Sequence, residues 1–109
     1  MQDEAVPLTR GFATELDLAD HFQKHGREMG AATEQEYQEL ADTFLGRMVR
    51  PPVVECERRN GDRVRCNPDT NEFGVVSRSG VIRTYYDVGS RNKRRFPSPL
   101  DYWREQCRR

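Results

Sequence analysis

Two consecutive prolines, Pro51 and Pro52, separate two kinds of hydrophobic pattern. Before them apolar residues recur at helical spacing; after them β-branched and polar residues alternate. Proline lacks an amide donor and fixes φ, so no helix runs through the pair. Helices on one side of such a break and strands on the other define an α+β chain, in which the helices cover one face of an antiparallel sheet.

In the first half Thr14 offers an N-cap with Asp17 three residues on. Leu16, Leu18, Ala19 and Phe22 fall near one face, which predicts a first helix over residues 15–25. Gly26 and Gly30 supply its end. Thr33 followed by Glu36 is a capping box. Tyr37, Leu40, Ala41, Phe44, Leu45 and Met48 repeat at spacings of three and four, predicting a second helix over 34–47.

In the second half residues 53–58, the turn at Asn60 and Gly61, and residues 63–66 predict a hairpin. With three residues in its loop, Cys56 faces Cys66, Arg58 faces Val64, and Glu57 faces Arg65 as an opposite-charge pair. Asn67, Pro68, Asp69, Thr70 and Asn71 are dense turn chemistry, followed by a third strand over 72–77. Arg78, Ser79 and Gly80 then turn the chain into a fourth strand over 81–86. The predicted architecture is two N-terminal helices packed on a four-stranded antiparallel meander, with a short C-terminal helix over 100–107.

The chain's 109 residues suffice for one modest core and not for two. Residues 1–13, with Pro7, Gly11 and no sustained period, are expected to be a flexible lead-in, and residues 14–109 a single domain. No stretch approaches the roughly 18 apolar residues of a membrane span, and the N-terminus lacks the apolar run of a signal peptide. The expectation is a soluble, unprocessed monomer. Cys56, Cys66 and Cys107 are an odd, sparse set without Cys-x-x-Cys spacing, which argues against a structural zinc, against a disulfide framework, and for a reducing environment. Whether Cys56 and Cys66 are linked stays open.

The formal net charge of zero conceals a segregation. Residues 1–46 hold ten acidic and three basic side chains, a balance of −7; residues 47–109 hold eight acidic and fifteen basic, a balance of +7. Most of the basic residues are Arg, whose planar fork pairs with phosphate and stacks on bases. The loop between the fourth strand and the last helix concentrates Arg91, Lys93, Arg94 and Arg95.

Missing motifs narrow the chemistry. There is no Gly-rich phosphate loop, no His-x-Glu with Pro-Cys-x-x-Cys, no nucleophile elbow and no carboxylate cluster at metal-binding spacing. His21 and His25 stand four apart with Lys24 and Arg27 beside them. Such a pair binds a metal only if a third ligand arrives, and the sheet half offers no obvious one. His is also the side chain suited to proton transfer near neutral pH. On the fourth strand, alternation puts Ile82, Thr84 and Tyr86 on one face and Val81, Arg83 and Tyr85 on the other. A helix with His and Lys, a strand with two hydroxyls and an Arg-rich rim meet the needs of a metal-free ribonuclease. That enzyme must deprotonate a 2′-hydroxyl, neutralise a phosphorane and protonate the departing 5′ oxygen. The same basic half would equally serve a non-catalytic RNA-binding or protein-interaction module, with Tyr85, Tyr86 and Trp103 stacking on bases.

The run His21-Phe-Gln-Lys-His-Gly-Arg-Glu-Met-Gly30, then Thr33-x-x-Glu-Tyr37, Ala41-x-x-Phe44, Asn71-Glu-Phe-Gly-Val75, Gly80-Val-Ile-Arg-Thr-Tyr-Tyr86 and Tyr102-Trp103, resembles an RNase toxin domain. Domains of this type stand at the C-termini of bacterial polymorphic and contact-dependent inhibition toxins. They are similar to the superfamily joining barnase, EndoU, colicin-type tRNases and RelE. The resemblance implies helices on a four-stranded antiparallel sheet, and an endoribonuclease that needs no metal or other cofactor. It further implies cleavage of RNA, often tRNA, to a 2′,3′-cyclic phosphate, and a cognate immunity protein as partner. The setting it implies is interbacterial competition, in a target cell's cytoplasm after delivery within a larger toxin. Position by position, it makes His25, Lys24, Thr84 and Tyr86 catalytic, with Arg83 or Arg78 as the phosphate-stabilising cation. His21, Arg27, Tyr85, Arg94, Arg95 and Trp103 are expected to bind substrate. Many relatives end the fourth strand in Phe-Lys-Pro; here it ends in Tyr86-Asp87-Val88, a departure from that pattern.

Overall fold

A computed structural model describes residues 7–89 and 95–109. The elements run α1 (Glu15–His25), α2 (Glu34–Gly46), β1 (Val54–Glu57), β2 (Arg63–Asn67), β3 (Glu72–Val76), β4 (Ile82–Asp87) and α3 (Pro99–Cys107). The strands form one antiparallel sheet in the order β1-β2-β3-β4, as the pattern predicts. The first two helices begin at the caps the sequence marks. The hydroxyls of Thr14 and Thr33 accept the amides of Asp17 and Glu36 at 3.0 and 3.1 Å, and the Glu36 carboxylate reaches back to the Ala32 amide. Among the described residues no helix is long and apolar enough to cross a membrane.

The sheet carries a hydrophobic cluster on each face. Under α1 and α2 lie Tyr37, Ala41, Leu45, Val76, Ile82 and Tyr85, with Phe12. Gly74 lets α2 approach this face closely, since a Cβ there would stand 3.0 Å from a Leu45 methyl. Under α3 lie Val64, Cys66, Phe73, Val75 and Val88, with Tyr86, Tyr102 and Trp103 packed against them.

Four local expectations are corrected. The hairpin loop does hold three residues, Arg59 to Gly61, but it sits one residue earlier than expected. Cys56 therefore faces Val64, Glu57 faces Arg63, and Arg65 pairs with Glu55. A shift of two leaves every side chain on its own face, so hydrophobic alternation cannot detect it. The deciding residue is Gly61, whose φ of +91° suits the last position of the loop.

The second correction concerns β4, where the register slips so that Val75 faces Thr84 while Val76 faces Ile82. Arg83 is the extra residue of this bulge, so Ile82 joins Tyr85 on the α1–α2 side, and Thr84 and Tyr86 face α3. Third, the lead-in is hydrogen-bonded to the rest of the chain from Leu8 onward. Asp42 accepts the amides of Leu8 and Thr9, Gly11 accepts the amide of Ile82, and Phe12 is buried. Fourth, Cys56 and Cys107 form a disulfide, tying the end of α3 to the edge strand β1, while Cys66 is free and buried. Burial pushes the Cys66 thiol up to about 11, so it stays protonated.

Candidate active site

His25 is the last residue of α1, which packs against β4. Gly26 is buried and could not carry a side chain, because a Cβ would collide with the Phe22 ring. The chain continues in one more turn that brings Glu28 back over the end of β4. One Glu28 carboxylate oxygen accepts the Asp87 amide at 2.9 Å and lies 3.4 Å from His25 Nδ1. Glu28 therefore bridges helix and strand, and it holds the imidazole against Tyr86, with ring centroids 5.1 Å apart. Glu28 thus faces the Nδ1 side of the imidazole. The Tyr86 hydroxyl in turn shares a 2.6 Å hydrogen bond with the Tyr102 hydroxyl of α3. Thr84, two residues before Tyr86, faces the same side of the sheet, and Arg83 follows from the bulge with its guanidinium on the Asp62 carboxylate at 2.9 Å.

No family model matches the chain, and no curated protein matches it.

The other expected site residues divide clearly. His21 packs beneath His25 on Phe12, with its Nε2 3.5 Å from Asp17 and its Nδ1 buried without a hydrogen-bond partner. Lys24 is turned outward and pairs with Asp20, so it does not join His25. Arg27 is exposed in the turn after α1. Arg78 belongs to the β3–β4 turn, where its stem covers Gly61 of the hairpin loop. Tyr85 is 1% exposed on the opposite face, donates to Glu72, and cannot stack on a base. Burial, then that hydrogen bond, holds its phenol above the ordinary range. The Trp103 indole is spent on the sheet, donating to the Val64 carbonyl at 2.9 Å. Arg94 lies outside the described residues, as do Arg91 and Lys93. Arg95 is exposed and sits over the Phe96 ring.

Sequence reasoning missed Glu28, Phe96 and Tyr102 as site residues. The signal for Glu28 was its place three residues after His25, within reach of the same helical face. Among the described residues no group of three His, Cys, Asp or Glu side chains is placed to hold a metal ion. Two clefts of about 600 and 720 Å³ flank α2, and neither is lined by the His25 group. The titratable groups lie instead at the β4 edge, which Gly11 and Glu28 cap by accepting the amides of Ile82 and Asp87, and the His25 side chain is 13% exposed there.

Proposed function

We propose that the chain is a metal-independent endoribonuclease that cuts RNA by attack of the 2′-hydroxyl on its own phosphodiester. The observation that carries this reading is the imidazole of His25, at the end of the helix packed on β4, held by Glu28 against the ring of Tyr86, the strand residue two beyond Thr84. In the reaction His25 Nε2 takes the 2′-hydroxyl proton as the 2′-oxygen bonds to phosphorus. Thr84 and the Tyr86–Tyr102 hydroxyl pair donate hydrogen bonds to the crowded phosphorane oxygens. The bond to the 5′ oxygen then breaks and that oxygen takes a proton from the hydroxyl pair, which regains one from the His25 imidazolium beside Tyr86, so a 2′,3′-cyclic phosphate and the resting protonation state remain. Glu28 is a positioning residue that fixes the tautomer and angle of His25.

Its biological setting would be interbacterial competition, with tRNA as the first substrate to test and a cognate immunity protein as inhibitor. The basic second half of the chain would attract an acidic inhibitor. The Cys56–Cys107 bond fits a chain that passes through an oxidising compartment on its way into a target cell. The test is incubation of total tRNA with wild type, His25→Ala, Thr84→Ala and Tyr86→Phe. Losing the general base should lower cleavage roughly 10²–10⁴-fold, and Glu28→Gln should lower it less while altering the pH–rate profile. One observation favours a non-catalytic RNA-binding module: Lys24 and Arg78, both expected to assist catalysis, stand away from His25. Wild type that binds tRNA and leaves it intact would establish that second reading.

A further inference from the structure

The hydroxyl bond between Tyr86 and Tyr102 is one step in a longer series of contacts. Tyr102 meets the Phe96 ring edge-on at 5.3 Å, and the Arg95 guanidinium stands 5.1 Å from the Phe96 centroid. From the other end, His25 and Tyr86 are 5.1 Å apart and Tyr86 and Tyr102 6.5 Å. Five side chains from three places in the sequence thus form one continuous strip with an imidazole at one end and a guanidinium at the other. Three of its members, Tyr86, Phe96 and Tyr102, are half-buried and Arg95 is exposed, whereas Phe73 beneath them is fully buried. The strip is therefore an outer layer that a planar ligand can reach. Its member Tyr102 is anchored, because α3 is tied to the sheet by the Trp103 indole on the Val64 carbonyl and by the Cys56–Cys107 bond.

We infer that Tyr102, Phe96 and Arg95 form a subsite that stacks an unpaired base next to the bond cut at His25, so that the substrate is single-stranded or looped RNA and not duplex. The inference rests on the proposed ribonuclease reading for the position of the cut, but the stacking subsite is testable without it. Half-exposed aromatic rings bordered by an Arg are the recurring means of holding unpaired bases, because every base offers a π-face and the guanidinium serves either a phosphate or a second base. A duplex hides those faces in its own stack, so it cannot use the strip. The arrangement also replaces the stacking expected of Tyr85 and Trp103, which are committed to the sheet.

The experiment measures fluorescence anisotropy of a labelled single-stranded 2′-deoxyoligonucleotide, which lacks the 2′-hydroxyl and cannot be cleaved by this chemistry, against the same sequence as a duplex. The proteins are wild type, Phe96→Ala, Arg95→Ala and Arg104→Ala. Arg104 lies exposed on α3, paired with Asp101, and its removal changes the charge as Arg95→Ala does. Stacking predicts tighter binding of the single strand, weakened roughly five- to a hundredfold by Phe96→Ala. It also predicts a larger loss for Arg95→Ala than for Arg104→Ala. Equal binding of strand and duplex, or equal losses for the two Arg variants with none for Phe96→Ala, would overturn the subsite. If strand binding follows the prediction but wild type leaves RNA uncut, the subsite stands and the ribonuclease reading falls.

Discussion

The two faces of the sheet are closed by different means. On one, α2 buries Tyr37, Ala41 and Leu45, the Tyr37 hydroxyl donates to the Tyr85 carbonyl, and Arg65 donates to the carbonyls of Phe44 and Arg47. On the other, the nine residues of α3 include none that is fully buried. A free helix of that length does not persist in water. It is retained by pins: the Cys56–Cys107 bond, the Trp103 indole on Val64, the Arg58 guanidinium on the Gln106 carbonyl, and the Tyr86–Tyr102 pair. The first face is stabilised by apolar area. The second gives up area to leave half-exposed polar and aromatic groups at its edge, where the proposed chemistry sits.

The sharpest way to break this contrast is to remove the covalent pin. The bond spans a sequence separation of 51. On chain-entropy grounds Cys107→Ser should cost about 4 kcal/mol, measured as a lower urea midpoint. Loss of Trp103 packing should precede global unfolding, visible as a red shift in the emission of the chain's one Trp. On the opposite face Leu45→Ala should cost about 3 kcal/mol and unfold the whole molecule in one transition, because the cavity opens beneath α2 against Gly74.

Alkaline pH probes both faces at once. Burial raises Cys66 from its ordinary 9.0 to about 11, and burial also raises Tyr37, with Glu28 adding to the effect. The folded state keeps protons that the unfolded chain has released. Stability is therefore intact below pH 9 and falls as pH rises through about 11, with Cys66 accounting for at most about 3 kcal/mol. Urea midpoints of wild type and Cys66→Ala across that range check it; the variant should show a shallower decline. The smallest effects are the caps. Thr33→Ala and Ser98→Ala should each cost about 1 kcal/mol, the first as a loss of global stability and the second as faster amide exchange confined to α3.

These differences also explain what the sequence could and could not disclose. The helical face was legible because Tyr37, Ala41 and Leu45 repeat at one period and Thr33 and Glu36 mark its start. The strands were legible as elements, since Pro51 and Pro52 end the helical pattern and Gly61 and Gly80 mark turns. Register was not, because the hairpin slip was even and Arg83 bulges within a run of residues that all suit strands. The lead-in was misjudged because a lone Phe12 carries no period, and only the β4 edge reveals its place. The disulfide could not be read because pairing depends on where α3 lands. At the site, His25 and Tyr86 were legible as chemistry, and their contact confirms only that the fold brings them together. Glu28 sits at a local spacing of three from His25, but its bond to Asp87 and the Tyr86–Tyr102 bond span 59 and 16 residues, which no local pattern encodes.

The claim on which the functional account depends is that His25 and the hydroxyls of the Tyr86 face act on one phosphodiester. Sequencing the RNA termini left after expressing the chain in a cell tests it most directly. The account predicts a defined set of new ends bearing 2′,3′-cyclic phosphate, absent with His25→Ala at equal protein level. The same ends with His25→Ala, or no new ends from wild type that nonetheless co-purifies with RNA, would contradict it.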